Sequence, residues 1–163
     1  MFLSLLFSCG SDKVPPTNDL PALDLNESLD ESTARAGQII DPQSLFGGAS
    51  AEGQVGDYKI YNGRVRFIIQ SDRNSAYYVG YGGHIIDADI VRNDGSLGRD
   101  VIDDWMPMLG LGRIVMPNSI EVIDDGRNGT TAHIRSVGSC TSFSLLEGAV
   151  ENDSFITDYD CTL

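Results

Sequence analysis

Asp57–Gln70 reads DYKIYNGRVRFIIQ, and this stretch decides the fold class. Two alternating runs flank Asn62-Gly63, the pair favoured in a two-residue type I′ turn because both central residues need positive φ. Folding there sets Tyr61 opposite Arg64, Ile60 opposite Val65, Lys59 opposite Arg66 and Tyr58 opposite Phe67. One face then collects Tyr58, Ile60, Val65, Phe67 and Ile69. The other collects Lys59, Tyr61, Arg64, Arg66 and Gln70, with Ile68 its only aliphatic residue. A one-residue slip would invert every side chain, so turn and pattern together specify the register. Lys59 facing Arg66 is a mild like-charge penalty. The stretch predicts an antiparallel sheet with one buried face.

Working outward, His84–Val91 (HIIDADIV) is the second clear strand. Period two places His84, Ile86, Ala88 and Ile90 on one side, and Ile85, Asp87, Asp89 and Val91 on the other. Asp87 and Asp89 are thus neighbours, the arrangement a cation site or an acid–base pair needs. The bland alternatives are a solvent-facing pair, or carboxylates paired with Arg73 or Arg92. His84 points away from both carboxylates. Between the strands, Ser71–Gly83 combines turn formers with Tyr77, Tyr78 and Tyr81. Such tyrosines stack on sugar rings or cover a sheet edge. Gly82-Gly83 permits positive φ or close backbone approach.

Arg92–Gly98 is a loop signalled by Asp94-Gly95. Arg99–Gly112 is too apolar for a bare loop and is expected to fold over the open end of a sheet, with Val101–Trp105 as a helical turn. Asp100, Asp103 and Asp104 lack the order of a calcium loop. Arg113–Asp124 alternates again, with Pro117 as an edge or bend. Asp124–Gly129 is a turn and Thr130–Val137 the returning strand. His133 falls on its polar side. Phe143–Leu146 and Phe155–Tyr159 are further strand candidates. Alternation runs to Leu163, so the expectation is a chain that stops inside a sheet, truncated at the C-terminus.

The chain has 163 residues, 41% of them hydrophobic, which suffices for one domain with a core. Its formal net charge of −13 argues against nucleic acid as a partner, because phosphates would repel it. No apolar run is long enough to span a bilayer as a helix.

Met1–Gly10 reads MFLSLLFSCG. Leu6, Ser8 and Cys9 resemble the lipobox that ends a bacterial lipoprotein signal peptide. Phe7 is bulkier than usual there, and the missing basic region fits a start upstream of Met1. The resemblance implies lipidation at Cys9 and a place in the cell envelope, on the outer membrane facing periplasm or exterior. Residues 10–36 carry three prolines and a marked acidic excess, so they read as a disordered tether between a signal-like segment (1–9) and a β-rich domain (37–163). Asp41-Pro42 opens a short turn or helix ending near Phe46. Cys140 and Cys161 remain as an even pair, joined as a disulfide in an oxidising compartment or buried as two thiols.

Two motifs carry a further resemblance. Gly56, Asp57, Tyr58, Asn62, Val65, Arg66, Phe67, Ile69 and Gln70 form one, and Gly82, Gly83, Ile86, Asp87, Ala88 and Asp89 the other. Together they resemble the N-terminal part of large, mostly uncharacterised lipoproteins of predatory and marine bacteria. The strand order is also similar to the start of a galactose-mutarotase-like supersandwich, a family that binds sugars in a cleft. The later strands that build most of that cleft are not in this sequence.

The expected fold is all-β and mainly antiparallel, a β-sandwich-like or partial supersandwich domain behind the tether. The function this favours is non-catalytic: a lipid-anchored envelope protein that binds a glycan or packs on a downstream domain. Candidate ligand-binding residues are Tyr78, Tyr81, His84, Asp87, Asp89, Arg73 and Arg92. No residue is singled out as catalytic, and no metal or cofactor is expected. The rival readings are a fragment of a carbohydrate-active enzyme and a structural spacer. No nucleophile elbow, phosphate loop, dinucleotide fingerprint or zinc motif occurs in the sequence.

Overall fold

The computed structural model describes residues 23–75, 78–94, 96, 98–108, 112–146 and 160–162. Among the described residues there are two antiparallel sheets, and the fold is all-β and consistent with a β-sandwich-like architecture. The first sheet has the order β1-β2-β3-β4, with β1 at Ala34–Gln38, β2 at Tyr58–Asn62, β3 at Val65–Ile69 and β4 at Ile85–Ile90. The second has the order β5-β6-β7, with β5 at Arg113–Asp124, β6 at His133–Ser142 and β7 at Asp160–Thr162.

The central hairpin forms, but its register differs from expectation by two residues. Tyr61 lies opposite Arg66, Ile60 opposite Phe67 and Lys59 opposite Ile68. Asn62 stays in the strand because it pairs with Ala34 of β1. Its side-chain oxygen accepts from the amides of Arg64 and Val65, at 2.8 and 3.0 Å, and closes the turn. Gly63 is not held at positive φ. A side chain there would instead crowd the Leu29 carbonyl and the Asp30 backbone. An even shift leaves the two faces intact while separating Lys59 from Arg66 across the ladder.

The faces themselves are buried in the reverse of the order hydropathy suggests. Lys59, Tyr61, Arg66, Ile68 and Gln70 are buried, and Tyr58, Ile60, Val65, Phe67 and Ile69 only partly so. Over the polar-looking face lie Leu25, Ile39 and Phe46, which form one core with Tyr61, Ile68 and Ile86. Phe46 follows a short 3-10 turn, Pro42–Ser44, capped by the Asp41 side chain, as Asp41-Pro42 predicts.

This cover corrects the domain boundary. Leu25 is 3% exposed, and β1 starts at Ala34, so residues 23–36 belong to the fold and not to a tether. Lys59 explains part of the attachment, since its ammonium donates to the carbonyls of Leu25 (2.8 Å) and Ser44 (3.0 Å). Residues 1–22, including Cys9, lie outside the described residues.

The apolar face is covered unevenly by the β5–β6 hairpin. The Ala34 amide donates to Thr130 and the Ala36 amide to Asp125, both at the hairpin tip. Farther along, the Tyr58 hydroxyl donates to the Ile120 carbonyl at 3.0 Å. Across one row of the ladders, Ala36 is buried while Ile60, Phe67 and Ala88 are half-buried. In β5 the register shifts between Pro117 and Ser119, as the missing Pro117 N–H requires. A second small core joins Val79, Ile114 and Phe143.

Two other expectations change. Ser144–Leu146 is a 3-10 turn, not a strand. Val101–Trp105 is irregular and ends in a bridge to β4, not a helical turn. Phe155–Tyr159 lies outside the described residues. Among the described residues no helix is long and apolar enough to cross a membrane.

Candidate functional site

The residues expected to bind a ligand divide among three constellations. Arg73 does not reach the β4 carboxylates. Its guanidinium clamps Asp57 instead, Nε to Oδ1 at 3.0 Å and Nη2 to Oδ2 at 2.9 Å. The same carboxylate accepts from the amide and hydroxyl of Ser71 and from the Gln54 amide. Burial alone would push Asp57 up, but Arg73, Ser71 and Gln54 outweigh it and hold the carboxyl below its usual range. The clamp ties the start of β2 to the loop after β3.

Asp87 and Asp89 share the buried face, as period two predicts, but each has its own structural task. Asp87 is fully buried and accepts the amides of Glu52 (2.8 Å) and Gly53 (2.9 Å), pinning the loop before β2. Burial pushes it up to about 6 against those two amides. Asp89 is gripped by Arg92, at 2.7 and 3.0 Å, and by Arg66 at 3.2 Å. Burial raises it, but Arg92, the Ile90 amide and Arg66 together hold it low. Of the sequence alternatives, pairing with Arg92 matches the geometry at Asp89 and not at Asp87, which is held by backbone amides instead. Asp100 adds a further bond, accepting the Ala88 amide at 2.8 Å.

His84 forms the third constellation with Asp104, a partner the acidic run did not single out. His84 Nε2 lies 2.8 Å from Asp104 Oδ1, with both side chains almost wholly buried. The other oxygen of Asp104 accepts the Val79 amide at 3.1 Å. The side chain of His84 makes no other hydrogen bond among the described residues. Tyr81 packs against the second core, and burial pushes its hydroxyl up to about 12.

This dyad hangs two aromatic rings at the surface. Tyr78 precedes Val79 and Trp105 follows Asp104, so the Val79–Asp104 bond holds the two loops together. Trp105 is also paired to β4: its amide donates to Ile85 at 2.8 Å and the Ile85 amide donates back at 3.1 Å. Yet its side chain is exposed, at 54%, and Tyr78 at 61%. Val101 and Met108, on the same loop as Trp105, are exposed too. Trp105 was expected to cover the sheet end; its backbone does so while its ring faces out. The only tryptophan of the chain, beside two aspartates, was the sequence signal for this position.

Among the described residues no group of three or more His, Cys, Asp or Glu is placed to hold a metal ion. Cys140 is disulfide-bonded, and β7 sets Cys161 opposite Gly138 on the neighbouring strand. The side chain of Cys161 lies outside the described residues. No protein-family model, curated protein or solved structure matches the chain.

Proposed function

We propose that the chain is a lipid-anchored protein of the bacterial cell envelope whose β-rich domain binds carbohydrate without catalysing a reaction. The observation that carries the binding reading is the pair Tyr78 and Trp105. Their rings are exposed while the adjoining backbone is tied down by Asp104 and by β4. A rigid backbone presenting aromatic faces loses little entropy when a sugar ring stacks on it. Three carboxylates among the described residues serve the fold: Asp57 and Asp89 pair with arginines, and Asp87 accepts backbone amides. The acidic surface also suits a neutral glycan better than a nucleic acid.

The binding half is tested by titrating the purified domain with a panel of soluble bacterial and plant oligosaccharides. Trp105→Ala is expected to weaken the best binder by about tenfold, in line with the worth of one aromatic contact. Equal affinity in the Trp105→Ala and Tyr78→Ala variants would remove the aromatic platform from the reading. Absence of any binder would leave a spacer or a protein-docking domain.

The anchor rests on Leu6, Ser8 and Cys9. Expressed from an upstream start with labelled palmitate, the protein is expected to carry the label, and Cys9→Ser to lose it. A variant that labels as well as the parent would sink the anchor while leaving the binding domain untouched.

A further inference from the structure

The sequence contains the dipeptide Asn-Gly twice, at Asn62-Gly63 and Asn128-Gly129. The same two residues sit in opposite settings. We infer that Asn128 is a site of spontaneous deamidation built into the tip of the β5–β6 hairpin, and that the fold protects Asn62 from the same reaction. This goes beyond the binding reading and does not depend on it.

The chemistry needs a free side chain and a free nitrogen. The backbone nitrogen of the glycine loses its proton and attacks Cγ of the asparagine. A nitrogen–Cγ bond forms, the Cγ–Nδ2 bond breaks, and ammonia leaves. Water then opens the five-membered imide at either carbonyl, giving aspartate or isoaspartate. Glycine permits the ring because it carries no side chain to obstruct the approach.

At Asn62 both requirements fail. Its side-chain oxygen is held by the amides of Arg64 and Val65. The Gly63 nitrogen donates to the Asp30 carbonyl at 3.1 Å, and the backbone of residues 29–30 lies against it. Attack would require opening the hairpin turn and detaching the segment before β1.

At Asn128 both are met. The residue is exposed, and no hydrogen bond among the described residues holds its side chain. The Gly129 amide makes only a long contact, 3.4 Å, to the Gly126 carbonyl within its own turn. A side chain placed on Gly129 would meet nothing within 4 Å.

The product would matter structurally. Thr130 accepts the Ala34 amide, Asp125 accepts the Ala36 amide, and the Gly126 carbonyl accepts from Arg35 at 2.8 Å. These bonds fasten the hairpin tip to the edge of the first sheet, on either side of Asn128. Isoaspartate lengthens the backbone by one carbon inside that clasp, and both products add a negative charge beside Asp124 and Asp125. The conversion therefore loosens the tip from β1.

Ageing the purified protein at mildly alkaline pH, then mapping peptides by mass spectrometry, tests the site. Deamidation at Asn128 is expected to outpace that at Asn62 by about tenfold or more, because Asn62 must wait for local opening. In denaturant the two are expected to react at similar rates. Asn128→Gln should abolish the fast reaction without disturbing the fold. Equal rates in the native protein, or a protected Asn62 in denaturant, would overturn the inference. Hydrogen exchange at Ala34 and Ala36 is expected to quicken in the aged protein, and unchanged exchange would refute the loosening.

Discussion

Asp57→Ala is expected to remove a large share of the protein's stability. Removing the carboxylate leaves the Arg73 guanidinium only the Glu52 carbonyl and frees the Ser71 and Gln54 amides, at a residue with no exposed surface. Breaking one side of a buried pair costs about 3–5 kcal/mol. A domain of this size has about 5–15 kcal/mol to lose. Urea denaturation followed by far-ultraviolet circular dichroism measures the loss. Arg64→Ala is the matching control, since its partner Glu31 is an exposed residue and the pair is open to solvent. That variant should melt like the parent. If Asp57→Ala also does, the clamp is not what joins β2 to the following loop.

The same residue sets part of the pH dependence. Its folded pKa lies below the unfolded value, so its contribution is complete above about pH 4 and is lost as pH falls through the folded value. Asp87 has the opposite sign. Its carboxyl is pushed up to about 6, so the stability it contributes is present below about pH 4 and disappears as pH rises through 6. Burial pushes Glu52 and Asp100 in the same direction as Asp87. Stability is therefore expected to decline between about pH 4 and 6, where Asp57 no longer changes. Asp87→Asn should flatten that slope.

Gly82→Ala is the second large effect. Gly82 runs so close to the loop after β3 that a Cβ would overlap the Ser71 carbonyl oxygen. The neighbouring Gly83 amide donates to the Gln70 carbonyl at 2.8 Å, and the Gln70 amide donates to His84 at 3.0 Å. The backbone thus cannot retreat without breaking the junction between β3 and β4. A forced shift of this kind costs about 1–3 kcal/mol or more. Gly80→Ala, where the added carbon meets nothing within 4 Å, is expected to be silent. A drop in melting temperature for Gly82→Ala no larger than for Gly80→Ala would show that the junction yields.

These two positions lie within the motifs that also mark the sequence as β. The alternation in Asp57–Gln70 and His84–Val91 was enough to predict strands, their antiparallel pairing and the two faces of the central hairpin. Period two survives any even slip, which is why the faces were right although the register was displaced by two. The placement of Asp87 and Asp89 on one face follows from the same periodicity. The turn at Asp124–Gly129, where Gly126 takes positive φ, follows from its turn-forming residues. Proline and aspartate chemistry likewise placed the short turn at Pro42, because a cap is a local event.

What each face meets was not legible. Hydropathy assigns Lys59, Arg66, Asp87 and Asp89 to solvent, since an unpaired charge is costly to bury. The cost is met by partners distant in sequence: the carbonyls of Leu25 and Ser44 for Lys59, and Asp89 for Arg66. Nothing local in residues 23–36 announces that Leu25 will close over them, so this acidic segment reads as the continuation of the proline-bearing run before it. Arg73 choosing Asp57, and His84 choosing Asp104, are likewise decisions of three-dimensional proximity. The sequence by itself determined the class of fold and the local turns, because these depend on residues within a few positions of one another. Only the tertiary structure decided the buried face, the pairing of the charges and the exposure of Trp105, because each depends on segments that meet only when the chain has folded.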